Sequence, residues 1–452
     1  MKKIISTVAA LGLVVGVAGA ASAMDFSISG KYVVEGYMLN NADGDGFEPY
    51  DDDASTDSGW LHTFIVKPEL KVNDKITMFS ELRFAKYNVW GNQSTSSMKY
   101  DIKGEGYNSD IDVYLLYMEY LSPVGKFRVG RVPVIWGGDF LTSSTDSHVN
   151  RIMWWPSFVS DPFSLCLYTQ KTTENDFSED TTDSDNDSYL VDLAYKTDKL
   201  KLVGGYIYTN NKTGSDSGAA TSYDQQNHML RAYGLAKIGM VNLEGEWGWK
   251  FGDYRDYDDP ATEDNDVDAM ALMLDASTTM DKLDIGLMYF WAEGQSDTDA
   301  DADVEMAMGN GVLINRGLGD DFNPYYILTG DLSGMLNSDV FPADDGMVIS
   351  GVQCIGLHSD FQVSDKLTLH GALAYAWADT TDVAEALLGV SIGDEYGWEV
   401  DLGAKYKLLD NLTYEVRAAY FNTGDFFDDI ATAGGDDSDD LYLLSHHLTM
   451  TF

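Results

Sequence analysis

Residues Tyr442 to Phe452 read YLLSHHLTMTF, and their chemistry alternates. Tyr442, Leu444, Leu448, Met450 and Phe452 share one face, while Ser445, His447, Thr449 and Thr451 share the other. Successive side chains of a strand point to opposite faces, so this is a strand with one greasy and one hydroxyl-rich surface. A strand of that kind separates lipid from an aqueous lumen. His446 falls on the greasy face and departs from the pattern.

The other end of the chain points the same way. Lys2 and Lys3 precede an apolar run from Ile4 to about Ala18, and Ala21-Ser22-Ala23 offers a small-residue cleavage site. Residues 1–23 therefore read as a secretory signal peptide, with the mature chain, 24–452, starting at Met24. Nothing downstream supplies the ~18 or more consecutive apolar residues that a membrane helix needs. Export without a helical anchor leaves a secreted or periplasmic β-protein, or a membrane barrel. With 74 acidic against 29 basic residues, the net charge of −45 excludes nucleic acid as a natural partner. Aromatics are 12% of the chain, including 27 Tyr and 10 Trp, which suits girdles at two membrane interfaces. Only 9 Pro occur, as long unbroken strands require.

Period-two alternation recurs along the whole chain. Val241, Leu243, Trp247, Trp249 and Phe251 alternate with Asn242, Glu244, Glu246 and Lys250. Leu412, Tyr414, Val416, Ala418 and Tyr420 oppose Thr413, Glu415 and Arg417. Tight polar turns, such as Asn73-Asp74-Lys75 and Ser364-Asp365-Lys366, alternate with long acidic loops, such as Thr172 to Asp187, Tyr254 to Asp266 and Gly294 to Asp345. Short turns on one side and long loops on the other are the outer-membrane arrangement. With both termini on the short-turn side the strand number must be even. Treating His148 to Val159 as a descending strand satisfies that and gives about eighteen. The expected fold is all-β, a transmembrane antiparallel barrel wide enough for an aqueous channel.

At this point the C-terminal segment resembles the sorting strand of Gram-negative outer-membrane barrels. The mature chain as a whole resembles outer-membrane porins. The strand count, with GRVPVIWGGDF and VNRIMWW, is most similar to eighteen-stranded barrels related to alginate-export channels. The resemblance implies an outer-membrane channel for small hydrophilic solutes or ions, set among outer-membrane lipid and lipopolysaccharide, with a homo-oligomer as one assembly open to it.

Candidate pore residues follow from cost. A charged side chain on the lipid face near the midplane costs about 2–4 kcal/mol, so strand arginines should point inward. Arg83, Arg128, Arg131, Arg151 and Arg417 would form one basic wall, opposite Glu244, Glu246, Asp268 and Asp284. The plainer alternative is local pairing of these arginines with Glu81, Asp112 or Glu415. The Trp136 to Asp146 segment holds Gly137 and Gly138 for sharp bends, and Asp139 and Asp146 could face Arg128 or Arg131. Gly294 to Asp345, which contains Arg316, is unusually apolar at GVLINRGLGDDFNPYYILTGDL and is expected to enter the lumen, cover the mouth or pack on another subunit.

Asn41-Ala-Asp43-Gly-Asp45-Gly46 resembles the opening of a calcium loop, with Asp43 and Asp45 as ligands. Its twelfth position, however, is Asp52 rather than Glu, and Glu48 replaces the usual apolar residue. Solvated loop surface is the preferred reading of this and the other Asp clusters. No HExxH, GxSxG, CxxC or CxxCH occurs, so neither an enzyme nor a resident cofactor is expected. Cys166 and Cys354 fall about half a circumference apart, too far for a disulfide. Two other functions fit the same barrel: a sheath for a multihaem cytochrome, and a structural or adhesive surface protein.

Overall fold

The computed structural model describes residues 24–40, 56–90, 111–134, 136–142, 148–175, 184–214, 222–298, 303–308, 313–314, 322–330, 335–336 and 349–452. The expected signal peptide lies outside the described residues, as do Asp43, Asp45, Asp146 and Arg316.

The strands run as β1 Asp25–Leu39, β2 Asp57–Asn73, β3 Ile76–Val89, β4 Asp112–Ser122, β5 Gly125–Pro133 and β6 His148–Pro156. They continue as β7 Phe163–Thr173, β8 Asn186–Lys196, β9 Leu200–Asn211, β10 Tyr223–Ile238, β11 Val241–Tyr257 and β12 Asn265–Met280. The last six are β13 Leu283–Ala292, β14 Val352–Gln362, β15 Leu367–Trp377, β16 Glu395–Leu409, β17 Leu412–Thr423 and β18 Leu441–Thr451. Two short helices, α1 Asp382–Leu388 and α2 Asp425–Gly434, sit in the connections before β16 and β18. Each strand pairs antiparallel with its sequence neighbours, and β1 pairs with β18 to close an 18-stranded sheet. Among the described residues no helix is long and apolar enough to cross a membrane.

Every even-numbered strand before β18 ends in a tight turn, the longest spanning residues 157–162, and β6 is the descending strand that parity requires. The turns carry their own chemistry. Asn73 Oδ1 accepts the N–H of Lys75 at 2.9 Å and of Ile76 at 3.1 Å, closing the backbone on itself. One expected long loop is short: β11 continues to Tyr257 and β12 starts at Asn265, so Tyr254–Tyr257 is strand, not loop.

The outward face is apolar. Ile28, Leu193, Leu274, Leu373 and Leu444 are all about half exposed, as side chains meeting lipid would be. Two aromatic girdles bound it. Near the short turns, Tyr120, Phe127, Trp154 and Phe158 contact one another in series at ring distances of 6.1–6.5 Å. Toward the long loops, Tyr206, Tyr208 and Phe251 surround His228. Rings with one apolar and one wet end belong at those depths.

The closing seam explains the terminal motif. Gly30 and Phe452 exchange backbone hydrogen bonds of 3.0 and 3.1 Å, and the Phe452 ring lies over the bare Cα of Gly30. His446 is accommodated similarly. Its imidazole lies over Gly36 and packs edge-on against Trp60, 4.7 Å between ring centroids. A polar ring on the lipid face is thus covered by an indole and by a missing side chain. Cys166 and Cys354 lie on β7 and β14, buried and free.

A Cβ on Gly30 would run into the Ile65 carbonyl and stand 2.6 Å from the Phe452 ring. Gly30→Ala is therefore expected to destabilise the closed barrel by about 1–3 kcal/mol, the usual cost of overpacking. Urea unfolding in lipid vesicles measures it, and an unchanged midpoint would refute this account of the seam.

Candidate functional site: the barrel lumen

The inner surface is uneven. From β1 to β10 the inward positions are largely charged or hydroxylated. Toward the long-loop ends of β12 to β15 they are apolar and, Phe290 apart, small: Ala269 and Ala271, Phe290 and Ala292, Val352 and Cys354, then Ala372, Ala374 and Ala376, all buried. Small inward residues leave room beside the wall, and two connections fill it.

The first is Trp136 to Thr142, after β5. Gly137 takes φ 55°, and a Cβ there would sit 2.8 Å from Cβ of Tyr233. The segment crosses to the wall of β8–β11. Trp136 donates its indole N–H to Asp192 at 3.1 Å and stacks under the Arg231 guanidinium, 4.2 Å from the ring centre. Arg231 in turn holds Asp192 at 2.9 Å, and Tyr168 donates its hydroxyl to the same carboxylate at 2.7 Å. Glu246, buried on β11, accepts the N–H of Phe140 at 3.2 Å and of Leu141 at 3.4 Å.

The second is the long connection between β13 and β14. Its residues Phe322, Tyr325, Ile327 and Leu328 are buried, and Thr329 is wholly so. On β16, Glu399 accepts the N–H of Ile327 at 2.7 Å and of Leu328 at 2.8 Å, and Asp401 accepts that of Tyr326 at 3.2 Å. The two infolded segments meet: Phe140 packs edge-on against Phe322 at 5.1 Å, and both touch Phe290. Of the three places considered for the long connection, its described centre takes the lumen.

The predicted pore residues fare unevenly. Arg83, Arg128, Arg151 and Arg417 lie in the inward rows, each with a nearby partner. Arg83 donates to Glu81 at 2.8 Å and lies on the Tyr114 ring. Arg128 donates to Glu119 at 2.9 Å, Arg151 to Gln170 at 2.9 Å and Arg417 to Glu415 at 2.7 Å. The basic wall opposing a distant acidic one gives way to local pairs: Arg83 and Arg417 each meet a carboxylate two positions back on their own strand, Arg128 meets one directly across on β4, and Arg151 meets the Gln170 amide directly across on β7. Arg131 is a correction. It follows Arg128 by three residues, an odd step that reverses the face. Its cross-strand partners are Leu116 and Asn150, and its guanidinium meets His148 at the start of β6. Asp268 also faces outward, accepting the Trp249 indole N–H at 2.6 Å. Asp284, Glu244 and Glu246 are inward. Glu244 accepts from Tyr233 at 2.8 Å, and Glu246 holds a loop rather than facing open lumen. Asp139 lies by Tyr233 and Glu246, five strands from Arg128. At the mouth, just past β13, burial pushes the Glu293 carboxyl up to about 7, although it accepts the Met270 N–H at 2.7 Å.

No family model matches the chain, and no curated protein matches it. Solved structures do. OccK8 (OprE) of Pseudomonas aeruginosa superposes with a TM-score of 0.52 at 14% identity, over 95% of this chain and 98% of that one. OpdQ of the same organism gives 0.52 at 12% identity, over 95% and 99%. The fold is that of the outer-membrane porins. At these identities the likeness concerns architecture, and it does not reach the alginate-export subgroup.

Sequence reading missed Arg231, Asp192, Glu399 and Asp401. All four were legible as inward by parity, and the inward alanines of GALAYAW (Gly371 to Trp377) marked the wall that receives the loop.

Arg231 is 2% exposed, so removing it leaves the Asp192 carboxylate with the Trp136 and Tyr168 hydrogen bonds but without its ion-pair partner. Arg231→Ala is expected to cost about 3–5 kcal/mol and to loosen Trp136. Lys67→Ala, on a pair whose lysine is 53% exposed, should cost about 1 kcal/mol or less. Denaturant titrations of both variants decide; equal effects would contradict the burial argument.

Proposed function

We propose that the chain is an outer-membrane channel through which small hydrophilic solutes or ions diffuse passively, delivered by the leader at residues 1–23. The observation that carries this is residual wet space inside a closed barrel. Lys67 and Lys405 lie in inward rows yet remain 53% and 58% exposed, so the infolded segments leave part of the lumen open at these lysines. A barrel lined by fixed charges and narrowed by docked loops passes solutes by size and charge. The same infolding argues against the sheath reading, since a multihaem partner needs the room that Phe140, Phe322 and Tyr325 occupy. A purely adhesive barrel has no use for inward, water-exposed lysines.

Reconstitution into planar bilayers tests the reading: open-channel steps support it, and a silent, folded protein defeats it. Selectivity tests it further. Because Arg83, Arg128, Arg231 and Arg417 are paired with carboxylates, the excess acid of the chain should set the sign at low salt. Cation preference is expected in dilute electrolyte, fading as salt rises and the Debye length falls to about 10 Å at 0.1 M. Arg128→Ala, which leaves Glu119 only the longer Lys126 contact of 3.7 Å, should strengthen that preference. Reversal potentials in a salt gradient report it, and anion preference at low ionic strength would reject the account.

A further inference from the structure

Glu399 and Asp401 are adjacent inward positions of β16, 0% and 1% exposed. They face each other within hydrogen-bonding reach. Among the described residues neither forms an ion pair. Their partners across β15 are Ala374 and Ala372, and across β17 Phe421 and Ala419. Among the described residues the titratable groups nearest them are Cys354 on β14, Arg417 on β17, and Tyr325 and Tyr326 of the docked segment; beyond the tyrosines lie His370 with Asp360, Glu415, and Asp275, which is paired with His358 at 2.7 Å. His370 is bound to Asp360 at 3.0 Å, and Arg417 to Glu415.

The donors do not suffice for two anions. Both oxygens of Glu399 accept loop amides, and Oδ2 of Asp401 accepts a third, but Asp401 Oδ1 has no donor. Two carboxylates side by side in a dry site do not both stay ionised. We propose that the docked segment, residues 322–330, traps one proton on Asp401 Oδ1, shared with Glu399, so that its docking into the lumen is coupled to proton uptake. With the loop withdrawn, both groups meet luminal water and ionise as ordinary carboxylates. The docked state binds the extra proton, so acid favours it and alkali releases it. The device is a proton-held constriction: narrow at low pH, wider at high pH.

The inference rests on the channel reading only for its electrical consequence, so the test has two readouts. Hydrogen exchange in lipid nanodiscs, corrected for intrinsic rates, should show the Ile327 and Leu328 amides protected at about pH 5 and losing roughly tenfold or more of that protection by about pH 9. Single-channel conductance should rise over the same range. Asp401→Asn supplies a permanent donor in place of the proton. It should keep both amides protected and the conductance low across the range, whatever Glu293 or the histidines do. Protection independent of pH in the wild type, or an Asp401→Asn variant that still loosens in alkali, overturns the inference. A protein that never conducts but exchanges as described would sink the channel reading and leave the proton coupling standing.

Discussion

The lumen is organised by one interaction, wall carboxylates accepting backbone N–H groups of chain that has turned inward. A connection that leaves the extracellular side and enters a barrel carries amides with no ladder to join, and buried unpaired amides are costly. Glu246 meets two consecutive amides of the segment after β5, and Glu399 meets two of the segment after β13. Each fork of carboxylate oxygens spans neighbouring N–H groups, a charge-assisted geometry stronger than a neutral pair. The apolar side chains of the same segments then bury themselves against inward alanines and each other. The two segments share Phe290 as a common floor, which makes them one packed unit rather than two independent flaps.

The rest of the barrel can be seen as support for that arrangement. The apolar outer face and its girdles fix the strands in lipid, and the seam of Gly30 with Phe452 completes the ladder. The wall of β3 to β7 carries a further set of charges. There the cations lie on aromatic rings as well as beside carboxylates: Arg83 on Tyr114, Lys126 on Trp155, Arg151 on Tyr168. Such stacking holds a long side chain against the wall and keeps the passage clear.

Much of this was legible in sequence. Alternation with period two placed nearly all strands, because a lipid-facing row tolerates little besides apolar residues. Parity recovered β6, whose nine residues lack a strong signal. Parity applied to single arginines would also have excluded Arg131, which the general cost of a charge in lipid did not. That cost is depth-dependent and small near an interface, so a strand-end arginine escapes it. The partners of the infolded segments were harder to read. Nothing local in EVD, Glu399 to Asp401, says that its two acids face a loop seventy residues upstream rather than water. That pairing is set by the path of the connection across the lumen.

A structure of the protein determined in lipid nanodiscs tests the central claim most directly. The account predicts residues 322–330 inside the barrel, with both Glu399 oxygens on the amides of Ile327 and Leu328. The same segment lying above the strands, with Glu399 open to water, would contradict it.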